Sequence, residues 1–173
     1  MKHIQLFIAF LLCCVLHAQP SIDPNENLIS QRSDLLKGDD FINFKAFDVN
    51  QKEIEFSTAF DGRAVLLVFS SLYCHWCTNS LPLLEQLQQN NKKKLHIVFF
   101  YVDDMLDAQA DFAQKASYPW TSVWDPTRTF TEYMQYPIQA TPTFYLFDAK
   151  GKFLTKREGY IENIKQQIEE DIK

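Results

Sequence analysis

The sequence predicts a single α/β domain, a mixed β-sheet covered by helices, and three features carry that expectation. Residues 64–69 (Ala-Val-Leu-Leu-Val-Phe) and 95–102 are continuous apolar runs rich in β-branched and aromatic residues. Runs of that kind suit central strands buried on both faces. Between them Leu81, Leu83, Leu84 and Leu87 recur at helical spacing, and Ile161, Ile164, Ile168 and Ile172 draw one apolar stripe on a terminal helix. A chain of 173 residues that is 46% hydrophobic and 23% charged can bury a sizeable core in one domain, for which ~100–200 residues is usual.

Taken in order, residues 1–18 start Met-Lys-His and run apolar from Ile4 to Leu16, broken only by Gln5, to end at His17-Ala18. A cationic start, roughly a dozen apolar residues and a small residue at the end read as a secretory signal peptide, since a spanning helix needs ~20 apolar residues. Cleavage after Ala18 removes Cys13 and Cys14; Phe10, Leu11 and Leu12 are bulkier than a lipid-anchoring site at Cys13 takes. Residues 19–40 are polar, with Pro20 and Pro24, and read as a solvated leading segment. Residues 41–47 and 53–56 flank Asp48-Val49-Asn50-Gln51-Lys52, a hairpin pattern. The leucine helix ends in Asn90-Asn91 and Lys92-Lys93-Lys94, a cationic end that complements the helix dipole.

Met105, Ala108, Phe112 and Ala116 predict a further helix ending before Tyr118-Pro119, and Asp125-Pro126 opens a shorter one through Met134. A strand at 143–147, a turn at Ala149-Lys150-Gly151-Lys152 and a strand at 153–157 make a second hairpin. The order β-β-β-α-β-α-α-β-β-α implies a mixed sheet with helices on both faces, and no internal repeat or second domain is visible.

The formal charge of −5, without a clustered basic face, excludes a nucleic-acid footprint. Four cysteines are too few for a disulfide scaffold of this length. Beyond the leader only Cys74 and Cys77 remain, in Cys74-His75-Trp76-Cys77, between the strand ending Phe69-Ser70-Ser71 and the leucine helix. Unpaired amides and the dipole at a helix start favour a thiolate, which lowers the pKa of the first cysteine. One helical turn on, the second sulfur is placed to attack a mixed disulfide formed at the first, so the pair exchanges two electrons with a partner. A purely structural disulfide would close a tiny loop and remove little unfolded-state entropy. A closed zinc site needs four ligands, and His75 and His96 are the only histidines past the leader. A copper or zinc carrier that uses the two cysteines, with His75 as third ligand, is the alternative, since soft thiolates suit Cu(I).

With these residues in view, the chain resembles the thioredoxin superfamily, and within it the secreted TlpA/ResA-type thiol-disulfide oxidoreductases. Cys74-His75-Trp76-Cys77 matches the redox motif, and Pro82 the proline that kinks the first active-site helix. Thr141-Pro142-Thr143-Phe144 is similar to the loop that carries a cis-proline facing the pair, and Phe147-Asp148 and Gly151 resemble the strand end and turn after it. The stretch from Val102-Asp103 through Phe112, Pro119, Asp125 and Tyr133 is similar to the inserted strand-helix segment of TlpA-type proteins.

The resemblance implies a thioredoxin-like domain over 41–173 with a TlpA-type N-terminal hairpin. In it Cys74 and Cys77 form the redox-active disulfide, and Trp76, Thr141 and Pro142 meet the substrate. An extended cysteine peptide would pair with the Thr141 backbone as an added strand. No organic cofactor is implied, because the pair carries the electrons. The implied partners are cysteine-containing secreted or periplasmic proteins and a membrane electron donor or acceptor. Reductases, isomerases and oxidases share this pair.

Two acidic positions depart from the relatives. The aspartate that thioredoxins commonly bury six residues before the first cysteine is Val68, and the glutamate that many TlpA/ResA-type proteins carry three residues after the second is Ser80. His75 is the candidate to take part of that proton-handling duty or to stabilise the Cys74 thiolate, since histidine changes charge near neutral pH. Tyr73 and Trp76 read as aromatic shields of the pair. Asp103-Asp104 reads as the cap of the helix starting near Met105. His96 reads as a strand-edge histidine without a partner, and Trp120 and Trp124 as flanking a loop.

Overall fold

The computed structural model describes residues 35–48, 52–56, 60–103, 118–124 and 136–173. The leader at 1–18, all of the polar segment before residue 35, and the helices expected at 105–116 and from Asp125 through Met134 lie outside the described residues. The elements are β1 (Lys45–Phe47), β2 (Glu53–Glu55), β3 (Ala64–Ser70), α1 (His75–Asn90), β4 (Leu95–Tyr101), β5 (Thr121–Trp124), β6 (Thr143–Phe147), β7 (Phe153–Glu158) and α2 (Ile164–Asp171).

β1 and β2 pair antiparallel as the expected hairpin, with Phe47 opposite Glu53. The main sheet has five strands in the order β5-β4-β3-β6-β7. β3, β4 and β5 run parallel, and β6 and β7 antiparallel to their neighbours, so the sheet is mixed as expected. Register fixes what meets at one edge. Ser70 lies opposite Tyr101, and Phe69 opposite Thr143, so the chain leaving β3, the chain leaving β4 and the chain entering β6 all emerge together.

The continuous apolar runs follow from burial on two faces. Successive side chains of a strand point to opposite sides. In β3, Val65, Leu67 and Phe69 join one core with Phe44, Phe56, Phe100, Tyr136 and Tyr145, while Ala64, Leu66 and Val68 join the other with Leu84, Leu87, Ile164 and Ile168. The second core is covered by α1 and α2. The first, among the described residues, is covered by the N-terminal hairpin and Tyr136 rather than by a helix. It is dominated by rings: Phe69 stacks on Phe100 at 4.9 Å and Phe44 on Phe56 at 4.4 Å.

β5 is a strand where the sequence reading placed a loop. Its four residues, Thr-Ser-Val-Trp, are too few and too polar to show a period, yet they pair with β4 from Val98↔Thr121 to Tyr101↔Trp124. This placement turns Trp120 into a core residue stacked on Phe99 at 4.4 Å. It also gives His96 a partner in Thr121 Oγ1 at 3.0 Å. β5 covers β4 only from Val98 onward. Before it the buried Gln88 of α1 serves as a substitute strand, donating to the Leu95 carbonyl (2.9 Å) and accepting from the Ile97 amide (2.8 Å). The β6–β7 turn needs its glycine, because Gly151 has φ +78.

Candidate active site

β3 ends at Ser70, the chain turns through residues 71–73, and α1 begins with Cys74 as its N-cap. The cap bond usually made by a side-chain oxygen is made here by sulfur: the Cys77 amide donates to Cys74 Sγ at 3.2 Å. Cys74 Sγ also lies 3.4 Å from the Thr141 carbonyl, to which the thiol donates. Burial by itself pushes the Cys74 thiol up. Hydrogen bonds from the Cys77 and Thr141 side chains and from the amides of Cys77 and Trp76 outweigh it, and the net shift is downward. Cys77, one turn in and buried, is pushed up to about 11 by burial and then by its bond with Cys74. The two thiols are free and ionise in a fixed order, exposed end first.

Thr141-Pro142, as the resemblance implied, is a cis peptide beside the pair. The loop is braced from β7: the Gly159 amide donates to the Pro142 carbonyl (2.8 Å) and the Gln139 amide to Glu158 (3.0 Å). Trp76 and Tyr73 are more than half exposed, at 55% and 54%, as shields at the mouth of the site would be. His75 is adjacent in sequence but turned along the helix. Its Nε2 meets the Asn79 amide at 3.2 Å and its ring packs against Trp76 at 5.5 Å. Val68 is fully buried, and the Ser80 hydroxyl donates to the Trp76 carbonyl at 3.0 Å, so neither departure is filled by another acid at the same position. Among the described residues no three His, Cys, Asp or Glu side chains converge as metal ligands.

A family model described as Redoxin matches residues 36–172. The chain belongs to the Redoxin family. No curated protein matches the sequence. Among solved structures, a protein of Chlorobium tepidum assigned as thiol:disulfide interchange protein DsbE is 26% identical, covers 80% of this chain and 96% of its own, and superposes with a TM-score of 0.69. The thioredoxin domain of a thiol-disulfide oxidoreductase from Bacteroides vulgatus is 20% identical over 80% of this chain and 99% of its own, with a TM-score of 0.67. An exposed lipoprotein thioredoxin from Streptococcus pneumoniae is 20% identical over 76% and 98%, with a TM-score of 0.63. This redoxin is thus a thiol-disulfide oxidoreductase of the thioredoxin superfamily with a Cys74–Cys77 pair.

Two features of this redoxin's site escape a reading of the sequence. Tyr160, just past β7, packs its ring 5.4 Å from Trp76 and extends the exposed aromatic rim. Asp103, read with Asp104 as the cap of a helix that lies outside the described residues, has its carboxylate bound by the loop before Cys74. No local pattern signals either contact, because the partners are far apart in sequence.

The order of ionisation has a measurable consequence. The thiolate is the nucleophile, and its fraction rises as pH passes the pKa from below. In the reduced protein, alkylation of Cys74 by iodoacetamide is expected to reach half its maximal rate below the ~8.5 of an ordinary thiol, while Cys77 stays unreactive through about pH 9. Peptide mass spectrometry of the quenched reaction reads each site, and equal profiles for the two cysteines would contradict the geometry.

Proposed function

We propose that this redoxin is an extracytoplasmic thiol-disulfide oxidoreductase in which Cys74 attacks, Cys77 resolves and the Thr141-Pro142 loop holds the substrate chain. The observation that carries this reading is Cys74 at the tip of α1 with the Cys77 amide on its sulfur, a nucleophile activated by the fold itself. In the reducing direction the Cys74 thiolate attacks a substrate disulfide, and one substrate sulfur leaves as thiolate. Cys77 then loses its proton to water and attacks Cys74 Sγ, and the second substrate sulfur leaves. The substrate gains two electrons and the Cys74–Cys77 pair becomes a disulfide. The oxidising direction is the reverse, and a membrane donor or acceptor resets the pair.

The leader at 1–18, cut after Ala18, supports a location outside the cytoplasm, where a single pair without spare thiols meets oxidised partners. The likeness to an exposed lipoprotein thioredoxin agrees with that location. Trp76 meets the substrate from the helix side, and the Thr141 backbone from the other. His75 serves as the polar neighbour that supports the Cys74 thiolate, so His75→Ala is expected to lower the rate of Cys74 alkylation, and an unchanged rate would remove that role.

The deciding experiment is insulin reduction with dithiothreitol as donor. The wild type is expected to accelerate precipitation of the insulin B chain, and Cys74→Ser to return the rate to the uncatalysed one. Retained activity in Cys74→Ser would remove the proposed nucleophile. The equilibrium potential of the pair against glutathione then assigns the direction of electron flow.

A further inference from the structure

Asp103 follows β4 at the edge where β3 also ends, and is only 8% exposed. Its Oδ1 accepts the Ser71 hydroxyl at 2.6 Å, its Oδ2 accepts the Leu72 amide at 2.8 Å, and its backbone carbonyl accepts the Trp124 indole at 2.8 Å. Ser71 Oγ accepts in turn from the Tyr73 amide at 3.2 Å. Asp103 thereby joins the end of β4 to β5 through its backbone carbonyl, and to the three-residue loop between β3 and Cys74 through its carboxylate.

That loop faces the resolving sulfur. Ser70, at the end of β3, and Ser71 line the same small space as Cys77, and against the upward push of burial the Ser71 amide, the Ser70 hydroxyl and Thr141 favour its thiolate. Ser70, Ser71, Cys77 and Tyr101 line a cavity of about 10 Å³, about the space one water needs. The space admits a single water, enough to take the Cys77 proton but not a full solvent shell. Because Val68 and Ser80 carry no acid, these donors take on the support of the Cys77 thiolate.

We propose that Asp103 is the positioning residue for resolution: by gripping Ser71 and Leu72 it aims the Ser71 amide and Ser70 hydroxyl at Cys77. It thereby sets how fast Cys77 closes the disulfide. The proposal rests on the roles assigned above to Cys74 and Cys77. In the step concerned Cys77 gives its proton to water and its sulfur bonds to Cys74 Sγ; the bond from Cys74 to the substrate sulfur breaks, and that electron pair leaves on the substrate thiolate. The Cys74 backbone amide donates to the Ser71 carbonyl at 3.3 Å, but its sulfur, the attacking atom, is held by the Cys77 amide and the Thr141 carbonyl, contacts that do not pass through Asp103.

The test uses the full chain with Cys13→Ser and Cys14→Ser, reduced and mixed with one equivalent of 5,5′-dithiobis(2-nitrobenzoate). The first thionitrobenzoate released reports attack by Cys74, and the second reports resolution by Cys77. Asparagine offers one acceptor oxygen where two donors converge, so Asp103→Asn is expected to leave the first phase within about twofold and slow the second about tenfold. Ser71→Ala, which keeps the carboxylate and the Leu72 bond, is expected to slow the second phase several-fold, and decides alone if Asp103→Asn does not fold. The double variant is expected to be no slower than the slower single variant. An unchanged second phase, or equal slowing of both phases, would overturn the role of Asp103. A Cys77→Ser chain that still releases the second equivalent as fast as the wild type would instead overturn the assigned roles of the cysteines.

Discussion

Replacing Cys77 with serine is expected to leave Cys74 able to attack a disulfide and unable to let go of it. The Cys77 amide that caps Cys74 belongs to the backbone, so the nucleophile keeps its main hydrogen bond while the resolving sulfur is gone. A well-placed intramolecular group acts at effective molarities of order 10⁵ M and above, against millimolar thiols outside. The lifetime of the mixed disulfide should therefore rise at least ~10³-fold. Acid quenching, non-reducing electrophoresis and mass spectrometry would find a substrate protein joined to Cys74. If no adduct accumulates with Cys77→Ser, or if Cys74→Ser traps as much, attack and resolution are assigned to the wrong sulfurs.

The second large effect concerns the fold beneath the site. Phe100 is fully buried at the centre of the first core, with ring centroids 4.9 Å from Phe69, 5.5 Å from Phe44 and 5.7 Å from Phe56. Phe100→Ala removes one ring from contact with three others and leaves a cavity between β3, β4 and the N-terminal hairpin. The expected loss is about 3–5 kcal/mol, against a total of about 5–15 kcal/mol for a domain. Urea denaturation, read by tryptophan fluorescence, gives the difference. A loss below about 1 kcal/mol would mean that the hairpin does not seal this face.

The central strands were legible in the sequence because burial on both faces leaves no polar residue in the run, as in Ala64 to Phe69. The redox pair was legible because its meaning lies in its place between that strand and the leucine helix. The cis bond at Thr141-Pro142 was available only through resemblance, since nothing in the composition distinguishes one X–Pro bond from another. β5 stayed hidden because four residues with two hydroxyls carry no period. The bonds of Asp103 stayed hidden for a related reason. An aspartate ahead of an apolar pattern reads as a cap, and only the register of β3 against β4 brings it to Ser71, 32 residues away in the chain. His96 was read without a partner because that partner, Thr121, sits on the strand that was not seen.

The sulfur cap on α1 works in both directions. A helix end that lowers the energy of the Cys74 thiolate is itself held closed by that thiolate, because one bond serves both groups. When Cys74 carries a substrate or is joined to Cys77, its charge is gone and the first turn loses its best acceptor. The charge on Cys74 and the closure of the first turn of α1 are therefore linked through a single bond, from the Cys77 amide to the Cys74 sulfur.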